Sequence, residues 1–332
     1  MYRKRTLQVS LIVFLLAGLL AVPGFGQAAG GTTTAAGGTT TATGTWPRTI
    51  SDDMGASLRI AARPQRIVSV TLPTDEILLS LVSHSRLAAV TGFAEDPGVS
   101  NVTSQVIDVP LKLVQLNVEV VVSLRPDLVF VADWTDAASV KALRTAGLAV
   151  YQFKSPTTVK SIEDGIARVG AAVGEEAGAK RLIQWMDTRL AAVAAKVATV
   201  PADKRLTVMD YSTYGTSMGA GSSWDEIIRL AGVKNAVADL KADPYGSVPL
   251  SKETLLTLDP DILMVPSWVY GDPKGSDAFY TSIVADPALK GLKAVKQGRV
   301  HRMPENMKTA TSQYIVFAIE DLARYAYPDL FP

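Results

Sequence analysis

The chain has 332 residues, with 33 Lys and Arg against 32 Asp and Glu, a formal charge of +1, two His and no Cys. The absence of Cys excludes disulfides, thiolate chemistry and thiolate metal sites. The near-zero charge gives neither the basic footprint of a nucleic-acid binder nor a polybasic lipid patch.

Residues 1–28 read as an export signal. Arg3, Lys4 and Arg5 precede an apolar run, Leu11 to Val22, broken only by Gly18, and Gly26-Gln27-Ala28 offers a small-x-small cleavage site. The run is shorter than the roughly 20 residues a bilayer span requires, so a cleaved signal is expected, with an uncleaved N-terminal anchor as the alternative. Either way the remainder is exported, to the periplasm or the outer face of the cytoplasmic membrane. Without residues 1–28 the formal charge becomes −2. Residues 29–45 contain only Ala, Gly and Thr. Such a segment has no apolar surface to bury and reads as a disordered linker. Roughly 285 residues follow, enough for two domains with cores of their own.

Thr49 to Pro64 reads as a hairpin turning at Asp53-Met54-Gly55. A β-rich strand, Arg66 to Val70, leads into a helix opened by Pro73-Thr74-Asp75-Glu76, with proline suited to the first turn and acids to the positive end of the helix dipole. Further strands are expected at Leu87 to Thr91, Leu128 to Val131 and Leu148 to Phe153, with a helix over Ala137 to Ala146 stopped by Gly147. From Glu175 to Val197, apolar residues at Leu182, Ile183, Trp185, Met186, Leu190, Val193 and Val197 keep helical spacing, which predicts one long helix. Beyond Pro201-Ala202-Asp203 come strands at Leu206 to Asp210, Ile262 to Val265 and Val300 to Met303. Helices are expected at Trp224 to Ala231, Lys252 to Thr257 and Ser312 to Tyr325.

The two halves repeat each other. EVVVSLRPDLVFVADW (119–134) and ETLLTLDPDILMVPSW (253–268) share Glu119/Glu253, Leu124/Leu258, Pro126/Pro260, Asp127/Asp261, Val131/Val265 and Trp134/Trp268, always 134 residues apart. Upstream of each copy a strand leads to Asp-Glu-Ile, at Asp75-Glu76-Ile77 and Asp225-Glu226-Ile227. A single repeated pair is not a solenoid, which needs three or more units. Two similar α/β halves predict two lobes, residues 46–174 and 201–332, joined by a long helix over 175–200, with a small-molecule cleft between them.

The ordered set Arg66-Ile67-Val68-Ser69, Asn117-x-Glu119, Leu124-x-Pro126-Asp127-Leu128-Val129, Ser251-x-Glu253 and Lys293-Ala294-Val295-Lys296-x-Gly298-Arg299-Val300 resembles the helical-backbone substrate-binding proteins of ABC importers, the ferric-siderophore and vitamin B12 type. The resemblance covers about residues 50–330. It implies two lobes of parallel sheet flanked by helices, one connecting helix, an interlobe ligand, and a surface glutamate on each lobe that docks onto a dimeric permease with its ATPase. By motif position these are Glu119 and Glu253. A monomer with no cofactor of its own is expected.

Ligand contacts in such lobes lie on loops leaving the carboxyl ends of strands. Those loops carry Leu72, Pro73, Phe93 and Trp134 in the first half, and Tyr211, Tyr214, Tyr245, Trp268, Tyr270, Glu305 and Asn306 in the second. The resemblance places its aromatic contacts on Phe93, Trp134, Tyr214 and Tyr245 and its polar contact on Glu305; Trp268 rests on the internal repeat alone. Seven aromatic residues on these loops, in a chain that is 7% aromatic, suit a bulky and partly apolar ligand: an iron–siderophore, a corrinoid or a porphyrin. Loop cations are limited to Lys274 and Lys308, which argues against trianionic chelates.

Competing readings are carried by few residues. A bare transition metal wants two or three His with carboxylates, and the chain has His84 and His301 only. Haem ligation by His301, Met303 or Met307 in the same fold is one alternative. Gly215-Thr216-Ser217-Met218-Gly219 matches a nucleophile elbow, with Asp261, Asp272 and His301 downstream in hydrolase order, so a secreted serine hydrolase using Ser217 is another.

Overall fold

A computed structural model describes residues 45–332; the expected signal and residues 29–44 of the expected linker lie outside the described residues. A hairpin of β1 (Arg48–Ser51) and β2 (Ser57–Ile60) opens the described chain. Its turn is held by Asp52, whose carboxylate accepts from the N–H groups of Met54 at 3.0 Å and Ala56 at 2.7 Å.

The first lobe comprises β3 (Ile67–Ser69), α1 (Leu72–Leu81), β4 (Leu87–Thr91), β5 (Lys112–Leu113), α2 (Val118–Ser123), β6 (Leu128–Ala132), α3 (Ala137–Thr145), β7 (Val150–Phe153) and α4 (Val159–Val173). Its strands form a parallel sheet in the order β5-β4-β3-β6-β7. All five residues of β6 are buried, as expected of a central strand covered by helices on both faces.

Next comes α5 (Glu176–Val197), the long helix expected from the periodicity. Ala179, Met186, Val193 and Val197 form its fully buried stripe, while Leu182, Ile183, Trp185 and Leu190 pack half-buried alongside. That stripe belongs to one apolar cluster running from α1 and α4 through α5 to the helices of the second lobe. The turn from α4 into α5 passes through Gly174 at φ 74°, a left-handed cap that glycine adopts without strain. Arg86 anchors the start of α5: its guanidinium donates to Glu175 at 2.6 Å, to the Val173 carbonyl at 2.7 Å and to the Pro64 carbonyl at 2.7 Å.

The second lobe comprises β8 (Thr207–Asp210), β9 (Thr216–Met218), α6 (Ser223–Leu230), β10 (Lys234–Asn235), β11 (Ser247–Pro249), α7 (Lys252–Leu258), β12 (Ile262–Met264), α8 (Gly275–Val284), α9 (Lys293–Lys296), β13 (Val300–His301), α10 (Glu305–Lys308) and α11 (Ile315–Ala326). Its parallel sheet runs β10-β8-β12-β13, the same plan as β4-β3-β6-β7. The second lobe differs by an antiparallel ribbon, β9 with β11, inserted after β8. The fold is therefore the expected pair of parallel α/β lobes with one connecting helix. Several elements, among them the helices α4, α8, α9 and α10, the short strands β5 and β10, and the β9–β11 ribbon, have no counterpart among the elements read from the sequence.

The repeated segment owes its shape to backbone chemistry. The only non-glycine residues with positive φ among the described residues are Arg125 (47°) and Asp259 (40°), equivalent positions each followed by proline. Proline disfavours the right-handed helical region for its predecessor, so both helices must stop there. The next residue, aspartate, then clamps the neighbouring strand. Asp127 accepts from the N–H groups of Gln65 at 2.7 Å and Arg66 at 3.0 Å, and Asp261 accepts from the N–H and hydroxyl of Thr207, both at 2.9 Å.

Candidate functional site

Parallel sheets present the ends of their strands, and the starts of the following helices, on one side of each lobe. On that side of the first lobe lie Leu72 and Pro73 in the first turn of α1, Phe93 after β4 and Trp134 after β6. Leu72 packs half-buried on the main apolar cluster. Phe93 and Trp134 are exposed. Val114 directly follows β5 and is also exposed. A two-residue strand leaves no periodic signal, so Val114 carries no mark in the sequence.

On the second lobe, Tyr214 and Tyr245 flank the β9–β11 ribbon. Tyr214 sits in the turn into β9, where the Ser212 hydroxyl accepts from its N–H at 3.3 Å. Tyr245 sits in the turn into β11, where Asp243 accepts from its N–H at 2.8 Å. Because the strands are antiparallel, with Thr216 opposite Pro249 and Met218 opposite Ser247, these two tyrosines stand at opposite ends of the ribbon. Tyr211 instead turns inward and meets Phe279, ring centroids 5.9 Å apart, within the second lobe's own cluster. The rings of Phe93, Trp134, Tyr214, Tyr245 and Tyr270 are 52–90% exposed, a large exposure for side chains of this size.

Two of the expected residues, Trp268 and Asn306, lie where the lobes touch. Trp268 is half-buried and stacks edge-on with Tyr270 at 5.8 Å. Its indole lies so close to Gly98 that a Cβ there would stand 2.2 Å from Cε2. Asn306 pairs with Asn101: its side-chain amide donates to the Asn101 side-chain oxygen at 3.1 Å, and its carbonyl accepts from the Asn101 amide at 2.7 Å.

Glu305, at the start of α10, is tied by its N–H to the Ser267 hydroxyl at 3.0 Å. Its carboxylate is largely buried, 3.9 Å from the Lys308 ammonium, which also lies 3.5 Å from Asp210. Burial pushes the Glu305 carboxyl above its usual range; Lys308 opposes this and Asp210 adds to it. Lys308 is thus already matched by two acids and also lies 5.6 Å over the Trp224 ring, so it is not a free cation at the cleft.

Glu119 and Glu253 are both exposed, each the second residue of its helix. The caps match: Asn117 accepts from the Val120 N–H at 3.0 Å and Ser251 from the Thr254 N–H at 3.1 Å. Both helices run back toward the next strand, so their N-termini lie on the side of the strand-exit loops. Ser251 also holds the Glu253 carboxyl below its usual range.

The residues offered as a hydrolase triad are not one. Ser217 lies inside β9, buried, with its hydroxyl donating to Asp210 at 2.6 Å. A nucleophile elbow instead turns from strand into helix with an exposed hydroxyl. His301 is engaged by Asp321 at 3.2 Å and stacked on Tyr325 with centroids 3.9 Å apart. Asp261 is spent on Thr207. The glycines that suggested an elbow serve the ribbon: the Gly219 N–H bonds the Gly246 carbonyl at 2.8 Å. No group of three or more metal-binding side chains occurs among the described residues, and no helix there is long and apolar enough to cross a membrane.

Residues 67–307 match the family model described as periplasmic binding protein. An uncharacterized ABC transporter substrate-binding lipoprotein of Bacillus subtilis, YvrC, is 26% identical over 87% of this chain and 88% of its own length. A cobalamin-binding protein of Halobacterium salinarum is 28% identical over 66% of this chain and 58% of its own length. A periplasmic solute binding protein of Veillonella parvula shares the fold, with a TM-score of 0.69 and 21% identity, over 86% of this chain and 87% of that one.

Proposed function

The chain belongs to the periplasmic binding protein family, and from that premise we propose that it is the substrate-binding component of an ABC importer, capturing a bulky metal chelate of low net charge outside the cytoplasmic membrane. One observation carries this reading. Five exposed aromatic rings, Phe93, Trp134, Tyr214, Tyr245 and Tyr270, stand on loops of the two lobes, and Lys308 is already neutralised by Asp210 and Glu305. Flat rings give large rigid contact area at little entropic cost. A polyanionic chelate would call for several unpaired Arg or Lys. The reading therefore favours a corrinoid or a hydroxamate siderophore over a catecholate. Haem in the same fold is disfavoured by His301, whose ring is held between Asp321 and Tyr325. The protein itself does no chemistry.

Delivery is assigned to Glu119 and Glu253, presented alike by two pseudo-equivalent helices. Matched acids suit a partner with two-fold symmetry, each subunit offering the same basic patch. The chain itself is taken to act as a monomer. Two Bacillus relatives are lipoproteins by name. This sequence has no Cys to acylate.

The deciding experiment is a tryptophan-fluorescence titration against cobalamin, a ferric hydroxamate, a ferric catecholate, haemin and zinc. Saturable quenching by cobalamin or the hydroxamate, with an affinity about tenfold weaker in Trp134→Ala, is the expected result. Tight binding of the catecholate, or no response to any chelate, would overturn the ligand class. For docking, Glu119→Ala with Glu253→Ala should abolish uptake at unchanged affinity; a drop in affinity would remove the assignment.

A further inference from the structure

The acidic pair repeated in both halves, Asp75-Glu76 and Asp225-Glu226, plays no part in the cleft just described. Within each pair the aspartate stays in its own lobe. Asp75 accepts from the N–H of Thr91 at 3.0 Å and its hydroxyl at 2.7 Å, at the end of β4. Asp225 accepts from the Asn235 amide at 2.9 Å, at the end of β10. β4 and β10 hold the same place in their sheets, so the two aspartates clamp equivalent strand ends.

The glutamates cross between lobes. Glu76, on α1, accepts from the Ser312 hydroxyl, and its carbonyl accepts from the Gln313 amide at 2.8 Å, just ahead of α11. Its other carboxylate oxygen accepts from the Asn101 N–H at 2.9 Å and side chain at 3.0 Å, the same Asn101 that meets Asn306 of the second lobe. Glu226, on α6, accepts at 3.2 Å from the N–H of Val159, the first residue of α4. Helices α4 and α11 are counterparts, each the first long helix after the last strand of its sheet, with the four-residue α10 intervening before α11. Each lobe's first long helix thus sets a glutamate against the start of the other lobe's last helix, Glu226 on a main-chain N–H of α4, where the helix dipole favours an anion, and Glu76 on the Ser312 hydroxyl just ahead of α11.

We propose that Glu76 and Glu226 are a pseudo-two-fold pair of interlobe latches, positioning residues that fix the separation of the lobes and hence the width of the cleft. The latches are unequal. Glu76 is buried and bonded by Ser312 and Asn101 together. Glu226 holds the other lobe by one N–H and shares its second oxygen with the exposed Arg229 at 2.6 Å. Glu226 is the latch that releases, and Glu76 is the point about which the lobes move. The assignment concerns lobe separation in the free protein and stands apart from which chelate is bound.

The chain has no native Cys, so K141C on α3 and K296C on α9 give one spin label on each lobe, both at exposed positions. Pulsed dipolar spectroscopy of the full chain without ligand should give one narrow distance. In E226A that peak is expected to broaden and move to longer distance. In E226Q, whose amide oxygen still accepts from Val159, it should stay narrow. E76A should lose the single peak altogether, while E76Q retains part of it. Superimposable distributions for the parent, E76A and E226A, with native circular dichroism, would overturn the proposal, as would equal broadening in E226A and E226Q. Should E76A fail to fold, the E226A and E226Q pair decides alone.

Discussion

The two copies of the repeat agree in their main chain and part at their last residue. Both have a capped helix with an exposed glutamate at its second position, a left-handed residue before proline, and an aspartate clamping the adjacent strand. Both then run through a buried strand to a tryptophan. Trp134 stands in solvent, whereas Trp268 is half-buried against Gly98 of the other lobe. The conserved part of the repeat is held by hydrogen bonds that any copy of the fold must make. The divergent part lies where the chain leaves the sheet and its neighbours are no longer dictated by strand pairing. A repeated residue in a repeated element is thus evidence of a repeated backbone, and not of a repeated contact.

The same contrast yields predictions. The largest effect concerns the aspartates of the upstream pair. Burial pushes the Asp75 carboxyl up to about 7, against bonds from Ser69 and Thr91 that oppose the shift. Its folded-state value is therefore above its unfolded one, so the folded protein holds the proton more tightly. The stability this confers is complete below about pH 4 and is lost as pH rises to about 7, on the order of 4 kcal/mol in all. Asp75→Asn should flatten that slope in denaturant titrations at a series of pH values. A slope unchanged in Asp75→Asn would break the contrast.

Next come the clamps. Asp261 lies in a half-buried setting and Asp127 in an exposed one. Asp261→Ala should cost about 1–3 kcal/mol by leaving Thr207 unpaired, and Asp127→Ala less, because water replaces the lost acceptor. Equal losses by chemical denaturation would mean that the two lobes depend on the clamp alike.

The tryptophans should separate function from stability. Trp134→Ala is expected to weaken chelate binding about tenfold, roughly 1.4 kcal/mol, with thermal stability unchanged. Trp268→Ala should lower the melting temperature. Gly98→Ala should do so chiefly while Trp268 is present, since the three atoms nearest the added methyl all belong to its indole. The smallest effect is at the cap: Ser251→Ala should cost about 0.5–1 kcal/mol and Asn117→Ala a similar amount, checked by the same denaturation curves.

Much of the architecture could be read before any coordinates. Periodicity gave α5, β-rich runs gave the central strands, and the Pro-Asp repeat gave the pairing of the halves. The helices α4 and α8 escaped for a local reason. α4 contains Gly165 and Gly170, which weaken its propensity, and it is held by the tight approach of Gly170 to Ala179 of α5. The first turn of α8 carries Gly275, Ser276 and Asp277, which read equally as loop. At the site, the sequence could place aromatic residues on strand-exit loops but not aim them. Tyr211 turns to Phe279, and Tyr214 and Tyr245 take opposite ends of a ribbon that three-residue strands do not announce. Asn306 and Trp268 bridge lobes through Asn101 and Gly98, partners about 200 and 170 residues away in the chain.

Local order, the repeated backbone and the class of the protein were therefore written in the sequence, because caps, proline constraints and strand patterning act over a few residues. Which side chains stay exposed to meet a ligand, which close the lobes on each other, and which carboxylates cross between them were decided only by the tertiary structure. Those outcomes depend on desolvation and on partners brought together across the whole fold, and no local pattern encodes them.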